Sequence, residues 1–249
     1  MMKLIKLELR QNRLKTYMLA TLAISLVMLG FNYLFAFIPN MPPSNELEEM
    51  VMEFVGVIFS GYESIIAINS IIAMVCFSAL GATALSRLVV SDYMGKRANL
   101  LFAYPIDRSK LFISKVIIVF VFTILTMAVS NTLAFGVFFF TESNFPLVAQ
   151  GELTSELFME TMRITLTFGV LSSAIGLISL WFGFKRKSIQ ATLIPAYIMA
   201  VVGSNILGAP MLLGSVSMMF LTVVTAIALV IGVFLTINLA HDVKVMEAE

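Results

Sequence analysis

A chain of 249 residues with 59% hydrophobic and 12% charged residues, a formal net charge of +1 and a mean hydropathy of +0.98 has too little polar surface for a water-soluble fold, since soluble domains carry about 25% charged residues. Its apolar residues fall into runs of about 20, each long enough to cross roughly 30 Å of hydrocarbon at about 1.5 Å per residue. The pattern defines an all-α integral membrane protein with six transmembrane helices in a single transmembrane domain, 1–249, and the lone Cys76 excludes an internal disulfide or a thiolate cluster.

Residues 1–16 precede the first span. Lys3, Lys6, Arg10 and Arg13 recur at steps of three and four, which confines them to an arc of roughly 80° on a helix, with Met2, Leu4, Ile5, Leu7, Leu9 and Leu14 on the remainder. This reads as a basic interfacial helix lying on anionic lipid, the alternative being a basic tail that only sets topology. The first span, 17–38, is longer than a signal-peptide core of about 7–15 residues and lacks a small-x-small site before Pro39, so it reads as retained. In the connection 39–64, Pro39, Pro42 and Pro43 lead to Asn45 and Glu48 at the spacing of a reciprocal N-cap. From there Leu47, Met50, Val51, Phe54, Val55 and Ile58 face away from Glu46, Glu49 and Glu53. The expectation is an acidic amphipathic helix on the outer surface, either a lid or a helix packed on the bundle.

The second span, 65–90, is followed by the longest basic connection, with residues 91–110 as a candidate contact segment. Asp92 can cap a short helix running through Tyr104, Pro105 ends it, and Asp107 can cap the helix that becomes the third span, 111–140. Leu100, Leu101 and Tyr104 would make an apolar plug for a groove on a partner, flanked by Lys96, Arg97 and Arg108. The connection Thr141 to Arg163 is acidic and partly helical by pattern. In the fourth span, 164–184, Gly169, Gly176 and Gly183 repeat every seven residues with Ser172 and Ser173 beside them. That face permits close backbone approach, within the chain or between chains. Spans five and six cover 189–207 and 216–240.

All Lys and Arg except Arg163 lie in alternate segments, and the connections between them are acidic. The positive-inside rule therefore places both termini and the 91–115 connection in the cytoplasm. The chain has one histidine, His241, so no H-E-x-x-H or comparable zinc site can be built, and serine chemistry lacks a base at membrane depth. No metal, cofactor or catalytic residue is expected in this chain, and no nucleic-acid partner. Nor does any Asp, Glu, Lys, Arg or His fall in the middle of a span, as a proton-coupled transporter would require. There is no Walker loop. Directional work would need energy from a partner.

With those residues in view, the sequence resembles the permease subunits of type 2 ABC exporters. Such subunits show, after their second span, an acidic residue, a glycine, a Leu-Leu pair, a proline, an arginine and a lysine entering span three. Here these are Asp92, Gly95, Leu100 with Leu101, Pro105, Arg108 and Lys115; the family's usual Gly-Thr is Gly95-Lys96. The resemblance in layout covers the whole chain. It implies a multi-pass protein of a bacterial cytoplasmic membrane, paired with a second permease chain as homo- or heterodimer. It also implies separate cytoplasmic ATPase subunits carrying ATP and magnesium, contacted through Asp92, Tyr93, Gly95, Leu100, Leu101, Tyr104, Pro105 and Arg108. The cargo expected is hydrophobic or amphipathic, such as a peptide or antibiotic. Sodium export, a membrane scaffold without transport and an intramembrane enzyme are the rival readings.

Overall fold

The computed structural model describes residues 15–40, 61–93, 108–148, 153–212 and 218–245. Six long helices account for nearly all of them: α1 (Lys15–Phe37), α2 (Tyr62–Leu88), α3 (Arg108–Glu142), α4 (Ser155–Lys185), α5 (Gln190–Leu212) and α6 (Met218–Val245). All six are long and apolar enough to cross a membrane, which makes this a multi-pass membrane protein. They form because a bilayer leaves every backbone polar group to be satisfied inside its own segment, and a continuous helix does so. Short 3₁₀ turns follow α1 (Ile38–Asn40) and α2 (Val90–Tyr93).

Pattern-based boundaries and observed ones differ most at the start of α4, and α5 and α6 each end five residues beyond the pattern. The apolar pattern of the fourth span starts at Ile164, whereas α4 starts at Ser155, so Glu156, Glu160 and Arg163 lie on a polar extension of the same helix. Hydropathy marks only the part that needs hydrocarbon; backbone hydrogen bonding carries the helix further. With 35 residues, α3 is about 52 Å long, well beyond a hydrocarbon layer of roughly 30 Å. It projects or tilts accordingly.

Helix α4 is the axis of the bundle and packs against α2, α3, α5 and α6, while α2 also touches α1, α3 and α5. Burial follows that order: 72% of the apolar stretch of α4 is enclosed, 61% of that of α2, and only 11% of that of α1. The core has two parts. One large cluster, containing Met74, Phe77, Met127, Phe135 and Phe168, fills the middle and one end. A second, around Tyr93, Phe112, Leu180, Phe184 and Val243, closes the other end, and Tyr17 packs against it. The start of α1 and the finish of α6 therefore sit at the same end of the bundle.

Glycine permits the tightest crossings. A Cβ on Gly183 would stand 1.7 Å from Thr192 Oγ1 and 2.8 Å from its Cβ, and one on Gly176 would meet Leu85 Cδ1 at 3.3 Å. Gly169 is looser, with Ile124 at 3.7 Å. The seven-residue repeat in α4 thus serves three neighbours within the chain: α3 at Gly169, α2 at Gly176 and α5 at Gly183.

Candidate functional site

The end of the bundle where α2 gives way to α3 carries the residues that sequence analysis singled out. After α2, the 3₁₀ turn Val90–Tyr93 holds Asp92 so that its carboxylate Oδ2 accepts from Lys115 Nζ. Lys115 lies one and a half turns or more inside α3 and is 5% exposed, whereas Asp92 is 24% exposed. A cation this buried on an apolar helix needs such a partner, because desolvation disfavours it otherwise. The pair bridges 23 residues of sequence and ties the chain leaving α2 to the helix that follows.

Tyr93, next in sequence, turns inward. It is 6% exposed, and its ring meets Phe112 edge-on with centroids 5.8 Å apart and Phe184 at 5.7 Å. Phe112 and Phe184 are themselves 5.6 Å apart at 78°, so one ring from each of three segments closes a triangle. Edge-to-face pairs of this kind contribute about 0.5–1.5 kcal/mol each beyond area burial. Beyond Phe184, Lys185 Nζ stands 4.6 Å over the Trp181 ring. The α4–α5 turn that follows is closed by Ser188 N–H donating to Gly183 O, with Lys187 at a φ of 46°.

Of the proposed contact residues, Asp92 and Tyr93 are thus anchored in the bundle, and Arg108 opens α3. Gly95, Leu100, Leu101, Tyr104 and Pro105 lie outside the described residues, as do Lys3, Lys6, Arg10 and Arg13 and the acidic stretch 45–58. In α4, Ser172 donates to Met74 O at 3.1 Å, which joins the glycine face to α2, and Ser173 donates to Phe120 O at 3.3 Å, which joins it to α3.

At the opposite end is a residue that sequence analysis counted only as one more outer acid. Glu142, the last residue of α3, is 2% exposed. Its Oε1 accepts from the backbone N–H groups of Leu147 and Val148, both at 2.6 Å, and from the Tyr62 hydroxyl at 3.2 Å. The turn after α3 is thereby folded back over its own helix and locked to the start of α2. Tyr62 also stands edge-on to Phe139. The available signal was positional: an acid at the end of an apolar run, followed within six residues by Pro146 and an apolar pair.

Between the two ends, α1 is held by three polar bridges. Ser25 Oγ donates to Ser130 Oγ at 2.7 Å, Asn69 Nδ2 to Asn32 Oδ1 at 2.6 Å, and the Tyr33 and Thr141 hydroxyls are 2.6 Å apart. Asn32 Nδ2, Asn69 Oδ1, Ser70 Oγ, Ser78 Oγ and Asn131 Oδ1 are buried without a hydrogen-bond partner among the described residues. Inside a bilayer such groups are the most polar points of the interior. Among the described residues, the buried ionisable ones on α2 to α6 stay near helix ends, at Lys115 and Glu142.

The chain is 28% identical over 204 residues to the uncharacterized protein YcbO of Bacillus subtilis (strain 168), a stretch covering 82% of this chain and 84% of that protein. No protein-family model matches the chain, and no solved structure matches it.

Proposed function

We propose that this chain is the membrane-spanning permease subunit of an ATP-driven exporter of the type 2 ABC class. Two such chains would form the pathway, each receiving force from a separate cytoplasmic ATPase that binds ATP and magnesium. The chain would sit in a bacterial cytoplasmic membrane with both termini and residues 94–107 on the cytoplasmic side, a placement that the distribution of Lys and Arg supports. The cargo is hydrophobic or amphipathic, a peptide or antibiotic, in keeping with spans whose middles carry amides and hydroxyls and no charge.

The observation that carries the reading is the anchoring of the segment 94–107. Its entry is fixed by Tyr93 between Phe112 and Phe184, and the Asp92–Lys115 ion pair ties that entry to α3, where the segment exits. A push on a loop with free ends would dissipate in its own bending. With the entry and exit residues held this way, a push on the segment reaches α2 and α3 directly and α4 through Phe184. That is the mechanical requirement of a subunit that has no Walker loop and takes its energy through a contact.

The test is co-purification of the tagged chain from native membranes, with ATP hydrolysis measured in the bound material. An associated ATPase is expected. Leu100→Asp with Leu101→Asp should abolish its retention while the chain still inserts, since two charges would enter an apolar contact. If no ATPase accompanies the intact chain, the permease reading fails and a scaffold without transport takes its place.

A further inference from the structure

Helix α1 packs on α3 at Tyr17–Phe122, Ser25–Ser130 and Tyr33–Thr141, and between these contacts the two helices leave a recess. A cavity of about 660 Å³ lies between them, lined by α1 from Met18 to Leu29 and by α3 from Phe122 to Val137. That is roughly four times the ~150 Å³ that holds a benzene ring in a dry protein cavity. Its wall is carbon, because Thr21 and Thr126 turn their hydroxyls onto the carbonyls of Tyr17 and Phe122, and Ser25 is engaged by Thr21 O and Ser130. The groove opens toward the surroundings between Leu22 and Leu26 on one rim and Leu125, Val129 and Leu133 on the other, each more than half exposed.

Its length and its ends differ from those of a generic lipid-facing crease. From Met18 to Leu29 is about 16 Å along the helix, which is half of a hydrocarbon layer of roughly 30 Å and so the depth of one leaflet. One end is closed by Tyr17, whose ring stands edge-on to Phe122 at 6.3 Å. Cations gather at that end. Arg87 stands in the last turn of α2, beside the Ala84, Leu85 and Val89 of the cluster that Tyr17 packs against, Lys15 lies three residues before the groove begins, and both are exposed, with no carboxylate partner among the described residues. Arg10 and Arg13 precede them in sequence. The ion pair at Lys115 shows that this end of the bundle neutralises a cation where it must be buried; Lys15 and Arg87 remain available.

We infer that this groove is a binding site for one acyl chain of an anionic phospholipid, with its phosphate against Lys15 and Arg87 and the Tyr17 hydroxyl. A neutral lipid would fill the carbon wall equally well but leave the cations unmatched. A helix from a second copy does not fit, because a helix is about 10–12 Å across and the Ser25–Ser130 bond at 2.7 Å holds the floor closed. The site staples the least buried helix to α3 by filling the space between them. It rests only on the chain spanning a bilayer and stands whether or not the chain is a permease.

The experiment uses the purified full chain in phosphatidylcholine vesicles containing a few per cent phosphatidylglycerol with a diazirine midway along one acyl chain. After irradiation, labelled peptides are mapped by mass spectrometry. Labelling is expected at residues 18–29 and 122–137, to be displaced by unlabelled phosphatidylglycerol and not by phosphatidylcholine. Arg87→Gln and Lys15→Gln should each weaken that competition about fivefold, the loss expected for one cation–phosphate contact. Val129→Trp and, independently, Leu125→Trp fill the groove from an exposed rim and should remove the labelling without changing the yield of monodisperse protein. Equal labelling by a diazirine phosphatidylcholine would overturn the inference in favour of unselected boundary lipid. So would labelling spread evenly onto the exposed faces of α5 and α6. Disulfide formation between two copies of a Val129→Cys chain in the vesicles would overturn it in favour of a second copy as the occupant.

Discussion

The sharpest structural consequence concerns Gly183. A methyl added there would stand 1.7 Å from Thr192 Oγ1, 2.8 Å from Thr192 Cβ and 3.2 Å from Thr192 Cα. The hydroxyl could rotate away, but Cβ and the backbone beneath it cannot, so Gly183→Ala must push α5 from α4. The two helices are joined by a turn of four residues, Arg186 to Ile189, which leaves little slack to absorb the shift. Overpacking costs about 1–3 kcal/mol, partly offset by the 0.5–1 kcal/mol that alanine gains over glycine in a helix. A net loss of about 1–2 kcal/mol corresponds to roughly 2–8 °C in Tm for a chain of this size. Thermal unfolding of the purified chain in one fixed detergent, followed by fluorescence-detected gel filtration, reads it. Gly136→Ala is the matched control, since nothing lies within 4 Å of its added Cβ, and it should leave Tm unchanged or raise it. Thr192→Gly removes the clashing Cβ at the usual cost of a helical glycine, about 1 kcal/mol. Combined with Gly183→Ala it should lose less than the sum of the single changes. Equal melting of Gly183→Ala and Gly136→Ala would refute the close α4–α5 crossing.

Three further expectations follow from the same geometry. Asp92→Asn leaves Lys115 without its charged partner and should cost about 1–3 kcal/mol, less than the full buried-pair figure because Asp92 is partly exposed; Asp92→Asn with Lys115→Met should melt higher than Asp92→Asn alone, and a lower Tm for the double variant would remove the pair from the account. Glu142→Ala deprives two backbone N–H groups and the Tyr62 hydroxyl of their acceptor, so Tm should fall by several degrees and a protease should cut sooner between Ser143 and Thr154, whereas Glu142→Gln, which keeps an acceptor oxygen, should lose less. Lys187→Gly relieves a φ of 46° and should raise stability by up to about 1 kcal/mol as measured by Tm; a decrease would mean that the side chain contributes more than the strain costs.

How much of this was legible in the sequence depends on which force sets each feature. The spans were legible because hydrocarbon selects apolar runs of a fixed length, and six of the six long helices coincide with six such runs. The α4 extension to Ser155 was not, since no apolar period marks a polar helix end. The repeat of Gly169, Gly176 and Gly183 announced close approach, but not to which neighbour. A glycine records only that space is short, so the division among α3, α2 and α5 needed three dimensions. Lys115 was visible as a lysine entering span three and Asp92 as a helix cap; their pairing across 23 residues is a tertiary fact. Glu142 read as outer and solvated because its partners, two backbone N–H groups and a tyrosine 80 residues away, leave no pattern in composition.

Taken together, the contacts divide the bundle by stiffness. Helices α2 and α3 are clamped at both ends, by Asp92–Lys115 at one and by Tyr62–Glu142 at the other, and their crossing at Gly81 leaves only 2.9 Å between an added Cβ and Thr123 Oγ1. Helix α4 is seated on them through Gly176, Ser172 and the Phe112–Phe184 pair. These three form one mechanical unit, because bending any one of them would open contacts at several depths at once. Helix α1 is different: Met28, Asn32 and Ala36 are its only buried residues among those described, and three side-chain bridges supplement that packing onto α3 and α2. Interhelical hydrogen bonds in membranes average only about 0.6 kcal/mol, so three of them sum to about 2 kcal/mol, within reach of a bound ligand's differential affinity. If force enters at residues 94–107, the α2–α3–α4 unit should move as a body and the α1 seam should be where the structure yields. Cross-linking α1 to α3 through Ser25→Cys and Ser130→Cys tests that division: it should block any ATP-dependent movement, while a link within the α2–α4 pair, through Leu85→Cys and Gly176→Cys, which face each other, should leave it intact.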